Sequence, residues 1–222
     1  MKNGSQIVNT GVGSDEYFQE HYASRDWRFY KGILSEVVLY SDPGPILDLG
    51  AGWGLLVELF RRWNIDCIGI EGSSYAVKMA SERSPRIDMR CQPLSEKMPF
   101  DDGHFGTVIM NQVIEHLEPV VALHCIEEAY RVLKPGGMLY VTSPSRFNKS
   151  ECLADSTHIN MYSPQELKGL LKSVGFERFI EKNTALAFLG TNKIGSRLMQ
   201  LIYKFLKLDI LSATANCIAF KR

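Results

Sequence analysis

The sequence predicts an α/β fold, one mostly parallel sheet with helices on both faces. Three observations predict it. Short apolar runs alternate with helical patterns from residue 46 to the end of the chain. The first of those runs feeds a glycine-rich turn that opens directly into a helical pattern. No repeat or low-complexity segment interrupts the alternation, so residues 41–222 read as one domain.

The elements follow in order. The first fifteen residues are polar and rich in Gly, Ser and Asn, and are expected to be poorly ordered. Residues 1–40 form a separate cap segment, dense in aromatics (Tyr17, Phe18, Tyr22, Trp27, Phe29, Tyr30, Tyr40), which spacing assigns to one or two helices. The breaker Ser41-Asp42-Pro43-Gly44-Pro45 ends it. Then come a strand over 46–49, a helix over 55–63, a strand over 67–70, a helix over 74–83 and a weak strand over 87–90. A fourth strand covers 105–111 and a helix 119–133. Lys134-Pro135-Gly136-Gly137 stops that helix and turns into a fifth strand over 138–143. A helix over 164–174 ends at Gly175, with a sixth strand over 176–181 and a seventh, antiparallel, over 215–220. The arrangement is a Rossmann-like seven-stranded sheet.

Composition narrows the function. Twenty-five basic and 25 acidic side chains cancel, so the chain lacks the global attraction that phosphate backbones require, and no nucleic-acid partner is expected. Five cysteines are odd in number, scattered and never spaced as CxxC, which fits a reducing cytoplasm and no disulfide framework. No stretch is long and apolar enough to span a bilayer.

The most informative segment is Ile46-Leu47-Asp48-Leu49-Gly50-Ala51-Gly52-Trp53-Gly54. Glycine is needed where φ is positive or a ligand approaches the main chain. Open α/β sheets bind ligands at the carboxyl ends of their strands, near the point where strand order reverses. A dinucleotide fingerprint places its third glycine at 55, which is Leu55; the spacing here is G-x-G-x-G. Asp48 on the strand would repel a pyrophosphate and suits a ligand with a cationic amino group. Some twenty residues on, the second strand ends in Glu71 followed by Gly72, where a carboxylate can accept from a ribose diol.

These residues resemble the first motif of the class I S-adenosylmethionine-dependent methyltransferases. Residues 95–117 resemble the stretch into that family's fourth strand and the loop after it. Residues 127–144 resemble the helix, turn and fifth strand that follow, and 158–177 are similar to a segment of small-molecule methyltransferases, including those of quinone biosynthesis. The resemblance implies S-adenosylmethionine as cofactor and a small-molecule substrate. It implies that Gly50, Ala51, Gly52 and Gly54 line the methionine and adenosine moieties, and that Asp48 organises the surroundings of the amino group. It implies that Glu71 holds the ribose with Gly72 beside it, and that Asn111, Gln112 and Val113 sit near the methionine part and the sulfonium. The chain departs from the family where an adenine-binding Asp is common: Leu94 stands there in an ungapped match, with Gln92 the alternative acceptor, and Gly106 replaces the usual Asp at the start of strand four. Those departures motivate a second reading, a binding or regulatory protein of this fold with weakened cofactor affinity. A nicotinamide oxidoreductase ranks third, disfavoured by Leu55 and Asp48.

A nucleophile that must lose a proton calls for a base, and His116 and His158 both follow strands on the cofactor side. Were His116 that base, activity would rise with pH near 6.5. Either histidine can equally be a packing residue. Glu115, His116 and His124 lack metal-ligand spacing, so no metal is expected. The cap aromatics, led by Tyr17, Tyr22 and Trp27, cover cofactor or substrate, or else pack outside the sheet. Near 191–208 an inserted amphipathic helix carries Ile194, Leu198, Leu201, Ile202, Phe205 and Leu208 on one face, with Lys193, Arg197, Lys204 and Lys207 away from it. It packs on the domain or lids a pocket; peripheral membrane contact is the alternative.

Overall fold

In the computed structural model, which describes residues 14–41, 44–185, 193–206 and 208–222, the apolar runs become seven strands. They are β1 (Ile46–Leu49), β2 (Cys67–Glu71), β3 (Met89–Cys91), β4 (Phe105–Asn111), β5 (Leu133–Thr142), β6 (Arg178–Glu181) and β7 (Cys217–Phe220). They form one sheet in the order β3-β2-β1-β4-β5-β7-β6. Strands β1 to β5 pair in parallel, and β7 runs antiparallel between β5 and β6. Ile46 sits level with both Cys67 and Thr107, so β1 and β4 diverge into connections on opposite sides. Their carboxyl ends flank the point where strand order reverses, where such sheets take their ligands.

The helices are α1 (Asp15–Tyr22), α2 (Lys31–Tyr40), α3 (Leu55–Arg62), α4 (Ser74–Arg83), α5 (Pro119–Val132), α6 (Lys149–Ala154), α7 (Pro164–Val174) and α8 (Lys193–Leu206). Burial splits along the sheet. Leu47, Leu49, Val108, Met110, Leu139 and Val141 pack with α5 and α7, while Ile46, Ile109, Met138 and Tyr140 pack with the cap and α3. Consecutive residues face opposite layers, so a strand covered on both sides reads as a continuous apolar run. Asp48 interrupts that run on the cap-facing side, and is 3% exposed.

Three differences from the sequence reading have local causes. Strand β3 begins at Met89, two residues later than expected, because Gly69 pairs with Met89. Strand β5 begins at Leu133: the Lys134–Gly137 segment bulges where the register shifts between Phe105 and Thr107, and stays in the ladder. Helix α6, too short and polar for a periodic signal, follows β5 and carries the chain into residues 155–158.

Residues 1–13, Asp42 and Pro43 of the breaker, and Thr191, Asn192 and Lys207 of the inserted segment lie outside the described residues, as do the side chains of Lys193, Ile194 and Leu198. In what is described of α8, the expected apolar face does not pack as a unit. Tyr203 is buried and Gln200 accepts from the Ala185 N–H at 2.8 Å, while Leu201 and Phe205 stand exposed.

Candidate active site

The three glycines after β1 all have positive φ, yet each meets a different neighbour. A Cβ on Gly50 would lie 2.7 Å from a Val113 methyl. On Gly54 it would strike Ile87 at 2.5 Å and the Met89 sulfur at 2.7 Å. These two positions are glycine so that the loop after β4 and the approach to β3 can close on the turn. Only Gly52 turns towards the cap, where a Cβ would meet the Tyr22 ring at 2.8 Å.

Glu71 fastens this corner. Its Oε2 accepts the Gly52 N–H at 3.0 Å and its Oε1 accepts the Ser73 N–H at 2.9 Å, joining the glycine turn to the start of α4. Burial raises its pKa against the pull of the Ser73, Gly52 and Gly72 N–H groups. Burial, and then the neighbouring Glu71 charge, push Asp48 up to about 8. A buried Asp48 beside a half-buried Glu71, with no cationic side chain between them among the described residues, forms a site that favours a cation.

Tyr22, Tyr30, Asp48, Gly50, Ala51, Leu56 and Asn111 enclose a cavity of about 20 Å³. That is room for one water. The cap therefore covers the glycine turn closely: Phe18 is buried, Gln19 donates to the Tyr75 hydroxyl at 2.6 Å, and Tyr22 rests on Gly52 and Trp53. Of the cap aromatics singled out by sequence, Tyr22 and Tyr17 reach the site. Trp27 packs against the same core cluster, with Arg28, Lys31 and Arg62 over its ring.

The remaining residues fall around this corner unevenly. Asn111 lines the cavity and accepts from the Thr142 hydroxyl at 2.7 Å. Gln112, at φ 55°, points its exposed side chain towards Thr142. Gln92 spends its amide donor on Lys97 O at 2.8 Å, and its main chain passes beside Gly72. Leu94 packs on the core, and its carbonyl accepts from Cys125 Sγ at 3.2 Å, so its side chain belongs to α5 packing. Gly106 donates to Pro45 O at 3.0 Å, at the amino end of β4. That end of the sheet is opposite the glycine turn, so the departure at Gly106 does not touch the corner.

A second group forms where the loop after β4 meets the loop after β5. Glu115 and His116 lie in a short 3₁₀ turn after β4, and the Glu115 carbonyl accepts the N–H groups of Ile159 (2.9 Å) and Asn160 (3.0 Å). That fold-back sets the His116 and His158 rings 4.9 Å apart. Asp155 lies within 3.7 Å of the Nε2 atoms of both His158 and His21, the latter from α1. Tyr17 stacks on His21 and meets the edge of His116. Burial, and then His158, press the His116 pKa down to about 4. A neutral, weakly basic His116 follows, and the limb expected near 6.5 moves to about 4. One ligand atom each from Glu115, His116 and His158 falls within 4.8 Å of the others. Spacing along the chain does not reveal this grouping, because the third member is His158, 42 positions after His116, and not His124.

Comparison with known proteins places these features among relatives. A sequence profile of the methyltransferase domain family matches residues 19–179. The ubiquinone biosynthesis O-methyltransferase of Rattus norvegicus is 29% identical over 174 residues, 66% of this chain and 50% of its own. Its counterpart in Bradyrhizobium sp. is 35% identical over 113 residues, 49% of this chain and 43% of its own. The chain spans about half the length of the curated relatives it matches. The crystal structure of a SAM-dependent methyltransferase from Archaeoglobus fulgidus superposes with a TM-score of 0.71 at 20% identity, covering 93% of this chain and 99% of its own.

Proposed function

Because the chain belongs to the class I S-adenosylmethionine-dependent methyltransferase family, we propose that it transfers a methyl group to an oxygen nucleophile of a small molecule. One observation carries the reading: the glycine turn, the buried Asp48 and the half-buried Glu71 share a corner at the carboxyl ends of β1 and β2. The oxygen nucleophile is taken from relatives named as O-methyltransferases.

In this reading Glu71 accepts from the ribose hydroxyls, Gly50 to Gly54 border the methionine part, and Asp48 balances the cationic amino group. Gln92 offers an acceptor to the adenine amino group, the role that Leu94 cannot fill from the core. Asn111, Gln112 and Val113 border the sulfonium. S-adenosylmethionine supplies the methyl: its C–S bond breaks with the pair left on sulfur, a C–O bond forms, and the acceptor proton passes to a base or to water. The protein's main contribution is alignment, worth about 7–11 kcal/mol in well-oriented reactions. His116 and His158 stand beside the acceptor position.

Ligand pockets measure roughly 300–1,000 Å³, far above the present cavity, so binding requires Tyr22 to leave Gly52. Helix α1 is then a lid, and Tyr22 its contact with the turn. A lipophilic acceptor fits the exposed Leu201 and Phe205 on α8, beside the exposed cations Arg197 and Lys204. Calorimetric titration tests the reading: S-adenosylmethionine and S-adenosylhomocysteine should bind one to one and NAD should not. Binding of NAD without S-adenosylmethionine would overturn it.

A further inference from the structure

The group after β4 contains a buried acid that no cationic side chain pairs among the described residues. Glu115 is 0% exposed, neither carboxylate oxygen has a partner of good hydrogen-bond geometry among the described residues, and burial pushes its carboxyl up to about 8 against only its own N–H and the nearby Ser143 hydroxyl. The nearby Ser143 hydroxyl donates instead to Pro144 O at 3.1 Å. Burying a carboxylate without a partner costs several kcal/mol, so such a group marks a place where a counter-charge belongs. No lysine or arginine approaches it. What faces it are two imidazoles.

Both imidazoles are oriented as metal ligands are. His116 Nδ1 lies 3.2 Å from Thr157 O and 2.9 Å from Thr157 Oγ1. The Thr157 hydroxyl donates its single proton to Asp155, so His116 Nδ1 carries the hydrogen and Nε2 has the free lone pair. His158 repeats the pattern, with Nδ1 donating to Glu151 O at 3.1 Å. Ligating histidines characteristically donate the other ring N–H to a carbonyl or carboxylate, which fixes the ring and its tautomer. Asp155, 3.7 Å from His158 Nε2, stands behind as a further carboxylate.

We propose that Glu115, His116 and His158 bind a divalent transition-metal cation, with Asp155 as an outer carboxylate. Ligands about 2.0–2.2 Å from a cation lie roughly 3.4 Å apart, so closing the present 4.8 Å spread moves each side chain by less than about 1 Å. Two imidazoles and one carboxylate select zinc, manganese, iron or cobalt over magnesium, which prefers oxygen donors. Three protein ligands leave open positions. Resting on the methyltransferase reading, those positions would take an oxygen of the acceptor and favour its deprotonated form, a task His116 performs poorly alone. Through His21, which reaches Asp155 from α1, the site also borders the lid.

The experiment uses the full chain, stripped with a chelator and free of S-adenosylmethionine. Titration with Co²⁺ should give a visible ligand-field spectrum at one equivalent, and calorimetry should give Zn²⁺ and Mn²⁺ affinities at least tenfold above that for Mg²⁺. Glu115→Gln and His158→Ala should each weaken Zn²⁺ binding at least tenfold, with the circular dichroism spectrum of the wild type. His124→Ala, on α5, should bind as wild type. Metal binding that is absent, or equal in wild type, Glu115→Gln and His158→Ala, would overturn the proposal. Because cofactor binding is titrated separately, that result would leave the methyltransferase reading standing, and loss of cofactor binding would leave the metal result standing.

Discussion

The two halves of the site are built in opposite ways. At the β1–β2 corner, Gly52, Asp48 and Glu71 come from one strand, one turn and the next strand, and the contact that joins them spans 19 residues. At the β4–β5 corner, His116 and Thr157 are 41 residues apart, and His21 arrives from the cap. The first half holds two acids, and its nearest cation, Arg25, is held by Tyr30 and the Tyr22 ring. The second holds an acid, three histidines and Asp155, which partial burial would raise but which the Thr157 hydroxyl and N–H hold below the usual carboxylate range. The difference teaches that the corner proposed for the cofactor is written locally, whereas the group proposed to face the acceptor is assembled by long-range folding.

Substitutions can break this division, and the largest effect belongs to the first half. Glu71→Ala should weaken S-adenosylmethionine binding about 10- to 150-fold, the range for hydrogen bonds to a charged group. Glu71→Gln should retain part of it. Equal affinities in calorimetry would reduce Glu71 to a brace between Gly52 and Ser73.

A smaller effect sharpens the comparison through pH. Asp48 is protonated below about pH 8 in the free protein, and a cationic ligand favours its carboxylate. Affinity should therefore rise with pH and level off above about 8, by about fivefold between pH 7 and 8. Asp48→Asn should flatten the curve. The same shift makes Asp48 a stabilising group below about pH 4 whose contribution fades as pH rises to about 8, so the free protein should melt lower at pH 8 than at pH 5. A flat affinity profile in the wild type would mean that the ligand does not meet Asp48.

Smaller still is the expected effect of Tyr22→Ala, which unloads Gly52. Association with S-adenosylmethionine in stopped flow should quicken several-fold; an unchanged rate would mean that the cap does not gate the corner. The smallest effect lies outside both halves. Ser163 caps α7 in a capping box with Glu166, so Ser163→Ala should cost about 1 kcal/mol of stability and leave cofactor affinity unchanged. A change in affinity would connect α7 to the site.

Legibility followed the same division. The sheet was readable because strands buried on both faces appear as unbroken apolar runs, and because Gly175 ends α7. The G-x-G-x-G spacing and Glu71 marked residues that the fold brings into contact, although sequence could not separate Gly52, which faces the cap, from Gly50 and Gly54, which serve packing. Leu94 shows a related limit: an alignment position says nothing of which way a side chain turns, and this one packs on the core. Glu115 was set aside because it lacks metal-ligand spacing with His116 and His124; only the fold-back of residues 159 and 160 onto its carbonyl brings His158 to it. The strand limits moved by a few residues wherever a ladder outlasted its apolar run, as at Leu133.

The most direct test of the central claim is a crystal structure of the protein with S-adenosylhomocysteine. The account predicts ribose hydroxyls about 2.7–3.0 Å from Glu71, the Tyr22 ring moved off Gly52, and the amino group of the ligand on the side of Asp48. A ligand bound elsewhere, with Tyr22 still against Gly52 and Glu71 bonded only to the Gly52 and Ser73 N–H groups, would contradict it.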